Sequence, residues 1–270
     1  MGFLTGKKFL ITGISSNRSI AYGIAKACAR EGAELALSYN NERFKERVQG
    51  FADEFGAGQV IKLDASSDES IDLAALELAN RWTDGFDGFV HSIGWAPRES
   101  ISGSFLEGAS REGFLSAMNV SVYSYIAMAK RMVPLMAGHK ASLLTLSYLG
   151  GEKVVPNYNT MGLCKAALES ATATRYIAAD VGPQGIRANT LSCGPIKTLA
   201  ASGIKGFSSM LAQCKAVSPT RSLVSIDEVG NTAAFLLSDN SLGITAETIY
   251  IDGGFNALAC CVDQTASENA

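Results

Sequence analysis

The chain has 270 residues, 47% of them hydrophobic, and a formal net charge of −3. That balance supports one sizeable core and excludes intrinsic disorder and any general affinity for nucleic acid or anionic membrane surfaces. The six cysteines form no Cys-x-x-Cys pair and no ligand spacing with the two histidines, so reduced thiols, no metal and a cytoplasmic location are expected. The amino terminus lacks the apolar region of a signal peptide, and no apolar run reaches the ~18 residues of a membrane span.

In chain order, Lys8 to Thr12 reads as a short apolar strand. Gly13 follows at once, and a helical pattern runs from Ser19 to Gly32. Strand, glycine turn and helix make the first half of a mononucleotide-binding unit, with the helix amino terminus open to a pyrophosphate. The Gly-x-Gly-x-x-Gly spacing is absent, so a plain turn remains the competing reading. Glu34 to Tyr39 is a second strand. Asn40 stands where a carboxylate would hold a ribose 2′-hydroxyl, and Arg43 nearby is either solvated or a partner for a 2′-phosphate. Glu42 to Phe55 is a charged amphipathic helix.

Val60 to Leu63 is a third strand, ending in Asp64, which either accepts from an adenine amino group or caps the next helix. Ser70 to Trp82 is helical. Gly88 to Ser92 is a strand running into Ile93 and Gly94, and His91 within it reads as a core group rather than a catalyst. Ser110 to Met136 is one long helix or a bent pair closed by Pro134.

Leu143 to Leu146 is a buried strand that leads through Ser147, Tyr148, a Gly-rich loop and Pro156 to Tyr158 and Lys165. A helix carrying both would put the phenol and the ammonium, seven residues apart, on one face as a proton-handling pair. The helix is expected to continue from Ala166 to Val181. Arg187 to Ser192 is a strand ending near Ile196. A segment of about 197–219, rich in Ala, Ser, Gly and Lys, suits a mobile cover over a site. Asp227 to Leu237 is a helix, Ile244 to Asp252 a last strand, and residues 262–270 a frayed tail. Strands alternate with helices throughout, so one α/β domain with a doubly wound parallel sheet is expected. Gly13, Asp64, Gly94, Tyr148 and Ile196 all fall at strand carboxyl ends, where such sheets bind ligands.

These residues resemble the short-chain dehydrogenase/reductase superfamily, and within it the bacterial enoyl-acyl carrier protein reductases. The resemblance is carried by Thr12-Gly13-Ile14 with Ser19-Ile20-Ala21-Tyr22-Gly23, and by His91-Ser92-Ile93-Gly94. Leu146-Ser147-Tyr148-Leu149-Gly150, Pro156 to Lys165, and Gly194 to Ile204 carry it further. Six residues separate Tyr158 from Lys165, as in that branch, where ordinary superfamily members have three. A carbonyl or 3-ketoacyl reductase, which needs the shorter spacing, and a non-catalytic dinucleotide sensor are the alternatives.

The resemblance implies reduction of a trans-2-enoyl thioester on acyl carrier protein by NADH, with NADPH an alternative, in type II fatty-acid synthesis by a homotetramer. It implies Tyr148, Tyr158 and Lys165 as catalytic residues. It implies cofactor contacts from Gly13, Ser19, Ile20, Asn40, Asp64, Ala65, Ile93, Lys165, Ile196, Lys197, Thr198, Leu199 and Ala200. Acyl-chain contacts would come from Ala96, Met161, Ala201, Ile204 and Phe207. Three features depart from the branch: Asn40 for a longer amide, Trp95 for a Phe at the pocket mouth, and two extra residues between Glu169 and Arg175.

Overall fold

Along β1 (Lys8–Ile11), Phe9 and Ile11 pack into one apolar cluster and Leu10 into another. Burial on both faces is the condition of a parallel sheet covered by helices on each side, because successive side chains point to opposite faces. The same division recurs at Phe89 and Val90 in β4 (Gly88–His91), and at Leu143 and Leu144 in β5 (Ser142–Ser147).

The computed structural model describes residues 2–169, 173–198 and 206–258. β1 is followed by α1 (Ile20–Arg30), β2 (Glu34–Tyr39), α2 (Glu42–Phe55), β3 (Ile61–Lys62) and α3 (Asp68–Arg81), and the chain then crosses to β4. Beyond β4 come α4 (Phe105–Gly108), α5 (Arg111–Met118), α6 (Ser124–Met132), β5, α7 (Thr160–Glu169) and α8 (Ala173–Val181). β6 (Arg187–Cys193), α9 (Phe207–Val217), α10 (Ile226–Leu237) and β7 (Thr248–Ile251) complete the order. The strands form one sheet in the order β3-β2-β1-β4-β5-β6-β7, parallel at every pairing. The order reverses between β1 and β4, and the crevice beyond their carboxyl ends is where such sheets take ligands.

Local chemistry sets the helix starts. The Asn41 side chain accepts from the Arg43 amide ahead of α2, and Ser67 accepts from the Ser70 amide ahead of α3. Ser225 and Glu228 cap each other ahead of α10. Asp64 therefore does not cap α3. Its Oδ1 accepts from the amide and the hydroxyl of Ser66, at 2.9 and 2.7 Å, closing the turn before the cap.

Three sequence expectations change. Residues 110–136 are neither one helix nor a simple bent pair. A π-helical turn, Asn119–Tyr123, separates α5 from α6, and Pro134 sits inside a closing 3-10 turn, Val133–Met136. Single π-turns mark places where a side chain must be redirected. Here Ser121 leaves the helix pattern: its Oγ donates to the Trp95 carbonyl and accepts from the Trp95 amide, both at 2.9 Å. The last strand is the shorter Thr248–Ile251, paired to β6 over four residues. Residues 207–217, within the expected cover, form the helix α9. Tyr158 precedes α7, for the reason given below. Residues 170–172, within the stretch expected to be longer, lie outside the described residues, as do the tail 262–270 and Leu199, Ala200, Ala201 and Ile204.

Among the described residues, no helix is long and apolar enough to cross a membrane, and no group of three or more His, Cys, Asp or Glu side chains is placed to hold a metal ion.

Candidate active site

β5 delivers Tyr148 directly from its last residue: Ser147 ends the strand and Tyr148 stays extended, at φ −155° and ψ 149°. The chain then turns through a 3-10 segment, Leu149–Gly151, and returns along an irregular loop. Asn157 and Asn159 in that loop adopt φ of 64° and 43°. Left-handed backbone on both sides of Tyr158 holds it off the helix, which starts at Thr160. Tyr158 and Lys165 thus do not share a helix face; the loop brings Tyr158 to the cleft that Lys165 also lines. Asn157 Oδ1 accepts from the Gly103 amide at 3.0 Å, and Asn159 Nδ2 donates to the Gly103 carbonyl at 3.3 Å. The two asparagines pin the segment after β4 to the loop that carries Tyr158.

The rings of Tyr148 and Tyr158 stand edge to face, with centroids 5.0 Å apart. Tyr148 Oη lies 3.5 Å from Met210 Sδ on α9. Lys165, on α7, is buried, and its Nζ donates to the Leu146 carbonyl at 2.7 Å. That leaves two of three ammonium donors for other partners. Burial is the main cause of each shifted pKa here. It raises the phenols of Tyr148 and Tyr158 above their ordinary value and lowers the Lys165 ammonium. Both phenols therefore stay protonated at neutral pH, as donors.

These groups line a cleft of about 410 Å³ beyond the strand ends. Gly13 and the first residues of α1, Ser19 and Ile20, form one end. A Cβ at Gly13 would lie 1.9 Å from the Ser92 carbonyl oxygen, and its φ is +82°, so a glycine is required there. Ser19 makes no side-chain cap to α1; its hydroxyl donates back to Ser16 O instead. The helix amino terminus is thereby left facing the cleft, the arrangement that attracts an anion. Ile93, Gly94, Trp95 and Ala96 form the wall from β4, and Ile196 and Thr198 the wall beyond β6. Met161 of α7 and Phe207 and Met210 of α9 close the apolar side.

Of the residues expected at the site, Gly13, Ser19, Ile20, Ile93, Ala96, Tyr148, Tyr158, Met161, Lys165, Ile196, Thr198 and Phe207 line this one cleft. Asn40, Asp64, Ala65 and Lys197 do not. Asn40 and Lys197 are exposed, and Asp64 and Ala65 follow β3, further along the strand ends. Ser15, Ile101, Val155, Cys193 and Met210 line the cleft without having been singled out. No local pattern marks them, because each arrives from a separate element of the chain.

His91 is a core group. Ser124 Oγ donates to Val120 O, so it accepts from His91 Nε2–H at 2.8 Å, while His91 Nδ1 accepts from the Thr145 hydroxyl at 2.9 Å. Burial lowers its pKa to about 3, with the Lys165 charge adding to the shift.

Residues 13–256 match the family model described as enoyl-(acyl carrier protein) reductase. The chain belongs to this family. It is 53% identical to the NADH-dependent enoyl-[acyl-carrier-protein] reductase of Salmonella typhimurium over 259 residues, 96% of this chain and 97% of that protein. The crystal structure of the Aquifex aeolicus enzyme superposes with a TM-score of 0.92 at 46% identity, covering 96% of this chain and 100% of that one. The Anaplasma phagocytophilum reductase, solved in complex with NAD, also gives 0.92, at 41% identity and covering 97% and 98%.

Proposed function

We propose that this chain reduces the trans-2 double bond of enoyl thioesters carried by acyl carrier protein, in fatty-acid biosynthesis, using NADH. The reading rests on one observation above all: Tyr148, Tyr158 and Lys165 share a single cleft with the open amino terminus of α1. The cleft suits a dinucleotide. Gly13 keeps the β1 turn low, the α1 terminus presents N–H groups to a pyrophosphate, and Gly94 keeps the wall flat. A Cβ at Gly94 would stand 3.6 Å from Lys165 Nζ, so the glycine leaves that ammonium uncrowded on the cleft side. The bound cofactor would supply hydride to the β-carbon of the substrate.

The protein's own groups do the rest. Tyr158 donates a hydrogen bond to the thioester oxygen, where negative charge develops. A preorganised donor aimed at developing charge lowers a barrier by about 3 kcal/mol. Lys165 uses its remaining donors on the ribose hydroxyls and keeps the local field positive. Tyr148 holds the Tyr158 ring and lines the acyl pocket with Met161 and Phe207, and α9 covers that pocket from outside.

A homotetramer is supported by exposed apolar side chains grouped on neighbouring helices: Leu73 and Leu76 of α3, Phe114 and Leu115 of α5, and Ile126 of α6. Light scattering that gives the mass of one chain would reject the assembly. For the activity, oxidation of NADH by crotonyl and acetoacetyl thioesters is compared, with NADPH alongside. Turnover on the crotonyl thioester supports the proposal, and turnover on acetoacetyl alone would replace it with a ketoacyl reductase.

A further inference from the structure

Beyond β4 the chain has no regular structure from Ser92 to Pro97, yet most of this stretch forms one wall of the cleft. An irregular segment keeps its course only where its backbone groups are bonded. At its start the Ser92 amide donates to Thr12 Oγ1, just past β1, at 3.2 Å. The next fixed point is Trp95, and Ser121 supplies it. One hydroxyl takes the Trp95 amide proton and gives its own to the Trp95 carbonyl, both at 2.9 Å. A neighbouring strand would offer the same two bonds; here a single side chain makes them.

Ser121 is fully buried and comes from the π-helical turn between α5 and α6. Such turns recur at functional sites. This one is also tied to β4, because His91 Nε2 donates to Ser124 Oγ and that hydroxyl donates to the Val120 carbonyl within the turn. The turn is thus bonded both to β4 and to the wall that continues it. Ser121 Oγ also stands 3.9 Å from Met161 Sδ on α7. Met161 Cε in turn lies over Gly94, 3.4 Å from where a Cβ would be. Ser121, Trp95, Gly94 and Met161 therefore close a circuit of contacts around the apolar side of the cleft. Trp95 lines the cleft and is 50% exposed, so its indole stands at the mouth. Ala96 behind it is buried in the same apolar cluster as Met161.

We propose that Ser121 is a positioning residue for acyl recognition: by fixing Trp95 against Met161 it sets the width of the cleft mouth and so how firmly a long acyl chain is held. The assignment rests on the reductase reading. Ser121 itself does not line the cleft, so it acts through these two neighbours. The cofactor end, set by Gly13 and the start of α1, keeps its form without it.

The test compares Ser121→Ala with the parent, using NADH and either a crotonyl or a dodecenoyl thioester. KM for the dodecenoyl thioester should rise about tenfold, the scale of a lost hydrogen bond. KM for the crotonyl thioester should rise far less, because the shorter chain buries less surface against the mouth. The kcat on crotonyl and the Kd for NADH should hold. Acrylamide quenching of tryptophan fluorescence should increase, since the quencher reaches half-exposed Trp95 and not Trp82, which is 4% exposed. Ser121→Thr keeps the hydroxyl and should restore both readouts. If Ser121→Ala does not fold, Ser121→Cys decides: a thiol is a weak donor, so both readouts should move part of the way. A folded variant with the parental KM on the dodecenoyl thioester overturns the assignment. So does an equal loss on both thioesters and on NADH, which marks a general loosening of the fold. A parent that reduces neither thioester overturns the reductase reading, and this role with it.

Discussion

The ring of Tyr148 meets the ring of Tyr158 edge to face, at 74° and a centroid distance of 5.0 Å. One phenol arrives on a strand end and the other on a loop, so each fixes the other where neither has a helix to hold it. Edge-to-face packing of this kind is worth about 1 kcal/mol beyond the area it buries. Tyr158→Phe keeps the packing and removes only the donor. Its kcat on an enoyl thioester should fall by about a hundredfold, while NADH binding stays within error. Steady-state kinetics that follow NADH absorbance check this, and parent-like turnover would remove Tyr158 from the chemistry.

Lys165→Met replaces the ammonium by an apolar chain of similar length. It should weaken NADH binding by about ten- to a hundredfold, the cost of losing a charged hydrogen bond to a ribose hydroxyl. Fluorescence titration of the reduced dinucleotide measures it. Equal affinity would confine Lys165 to its bond with Leu146.

The asparagine clamp on Gly103 separates backbone strain from side-chain bonding. Asn159→Gly loses the bond to Gly103 but accepts a φ of 43° freely. Asn159→Ala loses the bond and adds strain, and should be the less stable of the two by about 1 kcal/mol in urea unfolding. Both should lower kcat more than they raise KM for NADH, because the loop they release carries Tyr158 and not the α1 terminus.

His91 makes stability depend on pH. Its pKa falls from 6.5 to about 3 on folding, so below pH 6.5 the unfolded chain binds the proton that the folded chain refuses. The stability tied to neutral His91 is complete above pH 6.5 and is lost as pH drops toward 3. The loss between pH 6.5 and pH 5 should be about 2 kcal/mol. Urea midpoints at both pH values test this. His91→Gln, which can still donate to Ser124 and accept from Thr145, should flatten the difference.

The alternation of strands with helices was legible because it is written locally. β2 and α2 begin and end at the residues that the pattern of apolar and charged positions indicates. The strand ends were legible for the same reason, and with them Gly13, Gly94 and Tyr148. The spacing of Tyr158 and Lys165 put both on one helix face, and there the structure differs: both line the cleft, but Tyr158 comes from the loop ahead of α7. Two left-handed asparagines bonded to Gly103, which no local period marks, set the course of the loop that carries Tyr158.

What the chain determined by itself is what a window of a few residues can encode: period, caps, turns, and the family resemblance carried by short runs. What only the tertiary structure decided depends on residues far apart. Ser147 comes beside Ser192 because β5 pairs with β6, and Glu169 is buried over them because α7 packs where Gly151 leaves space. Cys193 and Met210 reach the cleft from a sixth strand and a ninth helix. No periodicity marks such neighbours, since burial and missing hydrogen-bond partners are properties of a packed interior and not of any one segment.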